Sequence, residues 1–206
     1  VLAVAESVEP DLLCLQEVDF GVARSRFEDQ PAAWAARFPG FSGVFQHNVR
    51  VQAGGYGNML LSRWPLVEVH PVSLRRGRRK NRGAQIVLVA APGGELVVVN
   101  LHLSLTEGTR RWQVERLLGH SFLHRHRGTA CLVAGDTNDW RGILGRRVFE
   151  RHGFRPLGRW ARTRSFPSFL PLGRLDRAFA RGPPVVGRVH AVRGPLARLA
   201  SDPPPL

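Results

Sequence analysis

The sequence predicts an α+β fold in which two β-sheets pack as a sandwich flanked by helices. Short apolar and β-branched runs recur along the chain and are separated by glycine and proline turns. Two of these runs, residues 85–90 and 95–102, are joined by a Pro-Gly-Gly turn, which is typical of an antiparallel hairpin. Helical patterns are inserted between strands that arrive in hairpins, and this arrangement favours a sandwich over a doubly wound parallel sheet.

Each element is predicted from its local pattern. Pro10 stops the first helix because proline cannot continue one, and the apolar run after it suits a strand buried on both faces. Residues 109–124 carry Trp112, Leu117 and Phe122 at spacings typical of an amphipathic helix. The predicted elements, in chain order, are a helix at 3–7, a strand at 12–15, a helix at 31–37, a strand at 41–45, a glycine-rich loop around 54–57, strands at 58–62, 85–90 and 95–102, a helix at 109–124, a strand at 130–134, a helical segment at 142–152, and short strands in the last third.

Length and composition favour one domain over residues 1–206. With 43% hydrophobic residues, a chain of this size can bury one sizeable core. No apolar run approaches the roughly 18 residues that a membrane-spanning helix needs. Residues 1–8 are too short and acidic for a secretory signal, so a cytoplasmic location is the default expectation. Because the chain begins at Val1, a longer native N-terminus stays open, and the sequence predicts no oligomeric state.

The charge balance favours a polyanionic partner. Thirty basic residues against 16 acidic ones give a net charge of +14. Such a field attracts nucleic acid, anionic lipid or a phosphorylated small molecule. Residues 75–82, with five arginines and Lys80, are the best candidate for contacting a polyanionic backbone, although a solvated loop accounts for them equally well. Cys14 and Cys131 lie in apolar runs and are predicted to be buried, reduced thiols.

Polar residues follow or end several predicted buried strands. Strands held in a sheet can bring acids, amides and a histidine to one face, where a hard cation and a phosphate could bind. Each residue alone is more typical of a turn or of a satisfied structural position. The residues concerned are Glu17, Asn100, His102, Asp136, Asn138 and Asp176.

Six motifs in a fixed order, spread over nearly the whole chain, make these residues more informative together. The motifs are Pro-Asp-Leu-Leu-Cys-Leu-Gln-Glu-Val at 10–18, Gly-Asn-Met-Leu-Leu-Ser-Arg-Trp-Pro at 57–65 with Arg-Gly at 82–83, Asn-Leu-His-Leu at 100–103, Gly-Asp-Thr-Asn at 135–138, Arg-Leu-Asp at 174–176 and Ser-Asp at 201–202. Their order and form resemble those of the endonuclease/exonuclease/phosphatase superfamily, the group that includes pancreatic deoxyribonuclease. The resemblance implies a four-layer α/β/β/α sandwich.

The resemblance also implies a role for each matching residue. Glu17 would bind a divalent ion, Mg²⁺ or Mn²⁺, and Asp136 and Asn138 would position or deprotonate the attacking water. His102 would stabilise the pentavalent phosphorus or protonate the leaving group, and Asp176 would support the ion or a histidine. Asp202 would be a catalytic and metal-binding residue. The phosphate contacts would come from Asn58, Arg82 and Asn100. A hard cation suits this chemistry because the transition state gathers negative charge on oxygen.

The chain departs from the family pattern near its C-terminus and at both ends. Pro203 stands where the terminal Ser-Asp-His motif has its histidine, and proline has no titratable group. The first strand of the family fold, with its metal-site asparagine, and the last strand have no counterpart in the sequence. Two functions are therefore predicted: a metal-dependent phosphoesterase of the phosphodiesterase or nuclease type, with nucleic acid or a phospholipid headgroup as the partner, or a catalytically impaired homologue that binds nucleic acid or phosphate.

Overall fold

The structure is a computed structural model that describes residues 1–158 and 175–183. It contains two β-sheets, one with three strands in the order β1-β3-β2 and one with six in the order β4-β5-β6-β7-β9-β8. The strands are β1 (Leu12–Phe20), β2 (Ser42–Val51), β3 (Gly54–Ser62), β4 (Leu66–Ser73), β5 (Gly83–Ala91), β6 (Gly94–His102), β7 (Ala130–Asp136), β8 (Arg155–Pro156) and β9 (Asp176–Arg181). The α-helices are α1 (Leu2–Ser7), α2 (Gln30–Arg37), α3 (Glu107–Leu118) and α4 (Ser121–Arg125).

Three hydrophobic clusters hold the layers together. One cluster packs Trp34 of α2 against the outer face of the smaller sheet. A second lies between the sheets and includes Leu60 and Val98. The third packs Leu117 of α3 and Phe122 of α4 against the outer face of the larger sheet. The predicted two-sheet α+β sandwich flanked by helices is confirmed.

The central strands of the larger sheet are apolar on both faces because both faces are covered. In β5, Ile86 lies in the cluster under the helices and Val87 lies between the sheets. Side chains of a strand alternate between its faces, so the intersheet side continues from Val87 to Gln85 and, on β6, from Val98 to Asn100. The layer between the sheets is therefore apolar along most of its length and polar at one end.

Two predicted boundaries in the smaller sheet were wrong. Glu17 lies inside β1 rather than beyond it, at a β-bulge where the pairing with β3 shifts between Leu15 and Val18. The glycines predicted to form a loop begin β3, the central strand of this sheet. A Cβ on Gly57 would lie 1.8 Å from the Gln46 carbonyl oxygen, so glycine is needed there for close approach of two backbones.

Two elements of the larger sheet also differ from the prediction. Strand β4 was not predicted, and its Pro71 explains why: proline weakens a strand pattern but is tolerated at a sheet edge, where β4 lies. The single helix predicted at 109–124 is two helices. Helix α3 ends at Leu118 with Gly119 as its C-cap, and the His120 side chain then caps α4 by accepting a hydrogen bond from the Phe122 N–H.

The other expectations agree more closely. The hairpin of β5 and β6 is antiparallel, as predicted. Both cysteines are free thiols, as predicted, and Cys131 is buried as predicted, whereas Cys14 is only half-buried. The helical segment predicted at 142–152 is confined to the short helical turns Gly145–Phe149 and Glu150–His152. No helix within the described ranges is long and apolar enough to cross a membrane.

Candidate active site

Three acidic or histidine side chains lie in register at one end of the larger sheet. His102, the last residue of β6, pairs with Asp136 of the parallel strand β7. Asp136 in turn pairs with Asp176, the first residue of β9. The convergence of strand ends that the sequence predicted is present for these residues. His102 is only 6% exposed, whereas Asp176 lies at the surface.

Glu17 reaches the same place from the opposite sheet. It has a φ of 53°, a left-handed backbone conformation that is uncommon for a residue other than glycine and that accompanies the bulge in β1. Its Oε1 lies 3.4 Å from Nη1 of Arg82, which directly precedes β5 of the larger sheet. The bulge thus directs a carboxylate of one sheet toward a buried arginine beside the other.

Three cations surround the Glu17 carboxylate. Besides Arg82, Arg24 Nη1 lies 3.4 Å from Oε2 and Lys80 Nζ lies 3.6 Å from Oε1. The Tyr56 ring contacts two of these cations, with Arg24 4.7 Å and Lys80 5.1 Å from its centroid. Arg24 is fixed in turn by hydrogen bonds to Asp19. The Glu17 carboxylate is therefore surrounded by three cations, one of which, Arg24, it shares with Asp19.

The cations also set the ionisation of Glu17. Burial raises the pKa of its carboxyl group, but His102, Lys80, Arg82 and Arg24 outweigh burial, and the net shift is downward. His102 is itself neutral near pH 7, because burial and then the Arg82 charge lower its pKa to about 3. At that pH the three permanent cations therefore keep Glu17 ionised.

Asp136 lies close to His102 but in a different electrostatic environment. Burial raises the pKa of Asp136 to about 6, against a hydrogen bond from the Asn138 backbone N–H that lowers it. His102 Nε2 lies 3.5 Å from Asp136 Oδ2, at the outer limit of a hydrogen bond. Above pH 6 the pair consists of a carboxylate and a neutral imidazole, which suits acceptance of a proton by Asp136.

Asn138 is held by the turn that follows β7. Its φ is 49°, its backbone N–H donates to Asp136 Oδ1 at 2.8 Å, and its Nδ2 donates to the Leu103 carbonyl at 2.9 Å. The Thr137 hydroxyl donates to the Leu175 carbonyl at 2.8 Å, which ties the turn to the residue before β9. Threonine at this position thus has a structural role that a turn interpretation alone did not predict.

A shallow pocket opens between the sheets beside these residues. We refer to this pocket, together with Asp136 and Asn138 next to His102, as the cleft. Asn58 faces it while its Nδ2 donates to the Gly83 carbonyl at 2.9 Å. The pocket is lined by Glu17, Asn48, Tyr56, Gly57, Asn58, Asn81, Arg82 and His102. The sequence predicted Glu17, Asn58, Arg82 and His102 and missed the other lining residues. Tyr56 had one available signal, its place directly before the motif at 57–65.

The predicted phosphate contact by Asn100 is not supported by its surroundings. Asn100 is 0% exposed, and its Nδ2 donates to the carbonyl oxygens of Leu15 and Met59 and to Gln85 Oε1. Its Oδ1 accepts a hydrogen bond from Gln16 Nε2 at 2.7 Å. The side chain thus links three strands, and both of its polar atoms have partners inside the protein.

Two further polar residues support the site. Gln16, beside Glu17 at the bulge, holds Asn100 as described above. Asp139, which is 0% exposed, accepts hydrogen bonds from the Ile143 and Leu144 N–H groups, while its carbonyl accepts one from Arg177 at 2.6 Å. Neither residue was predicted, although an aspartate that precedes a helical turn is a recognisable capping signal.

Few of the described side chains near the pocket could serve as ligands for the divalent ion that the resemblance implies. In residues 1–158 and 175–183, no three His, Cys, Asp or Glu side chains are grouped closely enough to hold a metal. Mg²⁺, however, binds proteins through one or two carboxylates and keeps several waters. Glu17 meets that requirement because it is ionised and faces the pocket. The predicted site residue Asp202, with Arg174, Ser201 and Pro203 of the motifs, lies outside the described residues.

Comparisons with known proteins agree with this architecture. The profile of the Endonuclease/Exonuclease/phosphatase family matches residues 1–202. The Escherichia coli K12 protein "Uncharacterized protein YbhP" is 30% identical over 188 residues, which cover 85% of this chain and 73% of YbhP.

Solved structures show the same fold. Truncated Caenorhabditis elegans TDP2 superposes with a TM-score of 0.62 at 19% identity, over 88% of this chain and 75% of that one. A mannosyl-6-phosphatase from Bacteroides thetaiotaomicron gives a TM-score of 0.64 at 13% identity, over 87% and 74% of the two chains. At these identities the likeness supports the fold alone.

Proposed function

Because the chain belongs to the endonuclease/exonuclease/phosphatase family, as its motifs predicted, we propose that it is a divalent-metal-dependent hydrolase of phosphoester bonds. Family membership supports phosphoester hydrolysis, and the proposal adds the metal and the phosphodiesterase or nuclease type. One observation carries it: Glu17 of one sheet lies beside Arg82 and lines a pocket with His102 of the other sheet, and His102 in turn lies 3.5 Å from Asp136. One cleft would thus offer an anionic phosphate the buried guanidinium of Arg82, the Glu17 carboxylate to bind a cation, and Asp136 as a proton acceptor.

The residues of the cleft have separable tasks. Glu17 would hold Mg²⁺ or Mn²⁺, which when bound neutralises charge that develops on phosphate oxygens. Arg82, 8% exposed and fixed near Glu17, would donate to a non-bridging phosphate oxygen. Asp136, ionised above pH 6, would take a proton from the attacking water, and Asn138 keeps that carboxylate oriented through its backbone N–H. Neutral His102 would offer a hydrogen bond to the phosphate.

Hydrolysis of bis(p-nitrophenyl) phosphate tests this proposal with a substrate that carries one phosphodiester. With Mg²⁺ or Mn²⁺ at pH 8, we expect release of nitrophenolate by the wild type and a loss of about 100-fold or more in Glu17→Gln and Asp136→Asn. Glu95→Gln is the matched control, because Glu95 is exposed near the start of β6, whereas His102 is the last residue of that strand. Equal turnover by all four proteins would rule the proposal out.

A second function, a catalytically impaired phosphate-binding or nucleic-acid-binding module, is motivated by Pro203 in place of the family histidine. The two functions differ in one measurement. A binding module holds nucleic acid in a salt-sensitive manner and yields no product after prolonged incubation with metal, whereas the hydrolase yields product.

A further inference from the structure

The loop between β4 and β5 is the most basic segment of the described chain. Residues 75–82 contain Arg75, Arg76, Arg78, Arg79, Lys80 and Arg82, and we refer to them as the basic loop. The loop is closed at its base by a hydrogen bond from the Leu74 N–H to the Arg82 carbonyl at 2.9 Å. Lys80 and Arg82 contact Glu17 in the cleft. One end of the loop therefore belongs to the site, whereas Arg76 and Arg79 contact Gly108 and Thr106 at the start of α3.

Most of the charge on the basic loop has no carboxylate partner. Among the described residues, only Lys80 and Arg82 lie within salt-bridge distance of a carboxylate, and both use that of Glu17. The other arginines with assigned partners donate to neutral acceptors, which are Gly77 O for Arg75, Gly108 O for Arg76 and Thr106 Oγ1 for Arg79. Neutral acceptors fix a guanidinium without cancelling its charge, so the loop presents exposed, uncompensated cations.

Helix α3 supports this loop and limits its freedom. The Arg76 guanidinium lies 5.6 Å from the centroid of Trp112, and Arg116 lies 5.7 Å from the same ring. Gln113 Nε2 donates to the Leu74 carbonyl at 2.8 Å, and Arg116 Nε donates to the Ser73 carbonyl at 3.0 Å. These contacts hold both the base and the side of the loop, which lowers the entropy cost of binding a ligand there.

We propose that the basic loop holds the backbone of a nucleic acid on one side of the phosphodiester that lies in the cleft. The inference rests on the proposed function and names its substrate class. A single phosphoester can use Lys80 and Arg82, whereas Arg76 and Arg79, which lie beside the start of α3, would bind further phosphates of a chain. Sequence-independent backbone contacts of this kind are made by exposed arginine and lysine side chains.

The composition of the loop favours nucleic acid over a membrane surface. Residues 75–82 contain no apolar side chain. Leu105, 71% exposed and next to the Thr106 that Arg79 contacts, offers one isobutyl group for insertion. Even one myristoyl chain, with many more methylenes, gives only marginal membrane binding. A stable lipid anchor would thus need an apolar surface that the loop lacks.

Binding of a labelled DNA duplex in EDTA tests the inference without hydrolysis. The loop variant is Arg75→Gln/Arg78→Gln. The control is Arg125→Gln/Arg127→Gln, which lowers the net charge by the same amount. These two arginines lie just before the start of β7, whereas the cleft lies at the end of that strand. For a duplex of about 20 base pairs, we expect the loop variant to bind about tenfold more weakly at low salt, with the slope of log K against log salt reduced by about 2. The control should bind like the wild type.

Three results would overturn the inference. The first is that both variants bind DNA equally more weakly than the wild type, which would indicate an effect of net charge alone. The second is that the loop variant binds DNA as tightly as the wild type. The third is that the loop variant loses binding only to vesicles containing about 30% phosphatidylserine, which would assign the loop to a lipid surface. Failure of the proposed function is seen separately, as absence of bis(p-nitrophenyl) phosphate hydrolysis by the wild type.

Discussion

At the scale of single residues, Asn100 joins the two sheets beside the cleft. Its four hydrogen-bonding partners come from β1, its bulge, β3 and β5. Asn100→Ala would leave several of them buried without a partner, so we expect the free energy of unfolding to fall by about 3 kcal/mol, measured by urea denaturation. If Asn100 instead contacted the phosphate of the substrate, Asn100→Ala would raise KM for a phosphodiester and leave the stability nearly unchanged.

Asn81→Ala is the matched control for Asn100. Asn81 also lines the pocket but is half-buried in the basic loop, and its replacement should change the stability by less than about 0.5 kcal/mol. The motifs predicted Asn100 as part of the site, but a polar residue in an apolar strand gives the same pattern whether it faces a ligand or a buried network.

At the scale of secondary-structure elements, α3 connects two loops of the site through Gln113. Gln113 Oε1 accepts a hydrogen bond from the Ser104 N–H at 2.9 Å, while Nε2 holds the Leu74 carbonyl. In Gln113→Met, which keeps the shape without polar atoms, we expect the Ser104 amide to exchange its hydrogen about 100-fold faster, measured by native-state exchange. Amides in the centre of β6 should stay protected.

Gln113→Glu distinguishes loss of this hydrogen bond from general loosening of the helix. Glutamate keeps a side-chain oxygen for the Ser104 N–H, so Ser104 should remain protected in that variant. Fast exchange at Ser104 in both variants would show that α3 does not hold the loop through this contact.

Elements that follow simple periodicity were predictable, and those shaped by neighbours were not. The hairpin of β5 and β6 followed from two apolar runs and a glycine turn. The bulge at Glu17 was not predictable, because the extra residue is recognised only against its partner strand β3. The β3 glycines likewise allow close approach of backbone from residues more than ten positions away, Gln46 at Gly57 and Gly21 at Gly54.

At the scale of the whole molecule, the two thiols report on the integrity of both hydrophobic layers. Cys14 packs between the sheets, and Cys131 lies in the cluster under α3 and α4. Burial raises the pKa of each thiol to about 12. A thiolate is the reactive form, so we expect neither cysteine to be alkylated by iodoacetamide at pH 8 in the folded protein, and both to be alkylated in urea.

The same pKa shifts make the stability of the sandwich depend on alkaline pH. The folded protein retains thiol protons that the unfolded chain loses near pH 9, so the contribution is intact below pH 9 and is lost as the pH rises toward 12. We expect about 1 kcal/mol of lost stability per thiol between pH 7 and pH 10, measured by urea denaturation at both values. Cys14→Ala/Cys131→Ala should show a correspondingly smaller difference between the two pH values. If its pH dependence matched that of the wild type, the thiols would not be buried in both layers as the structure places them.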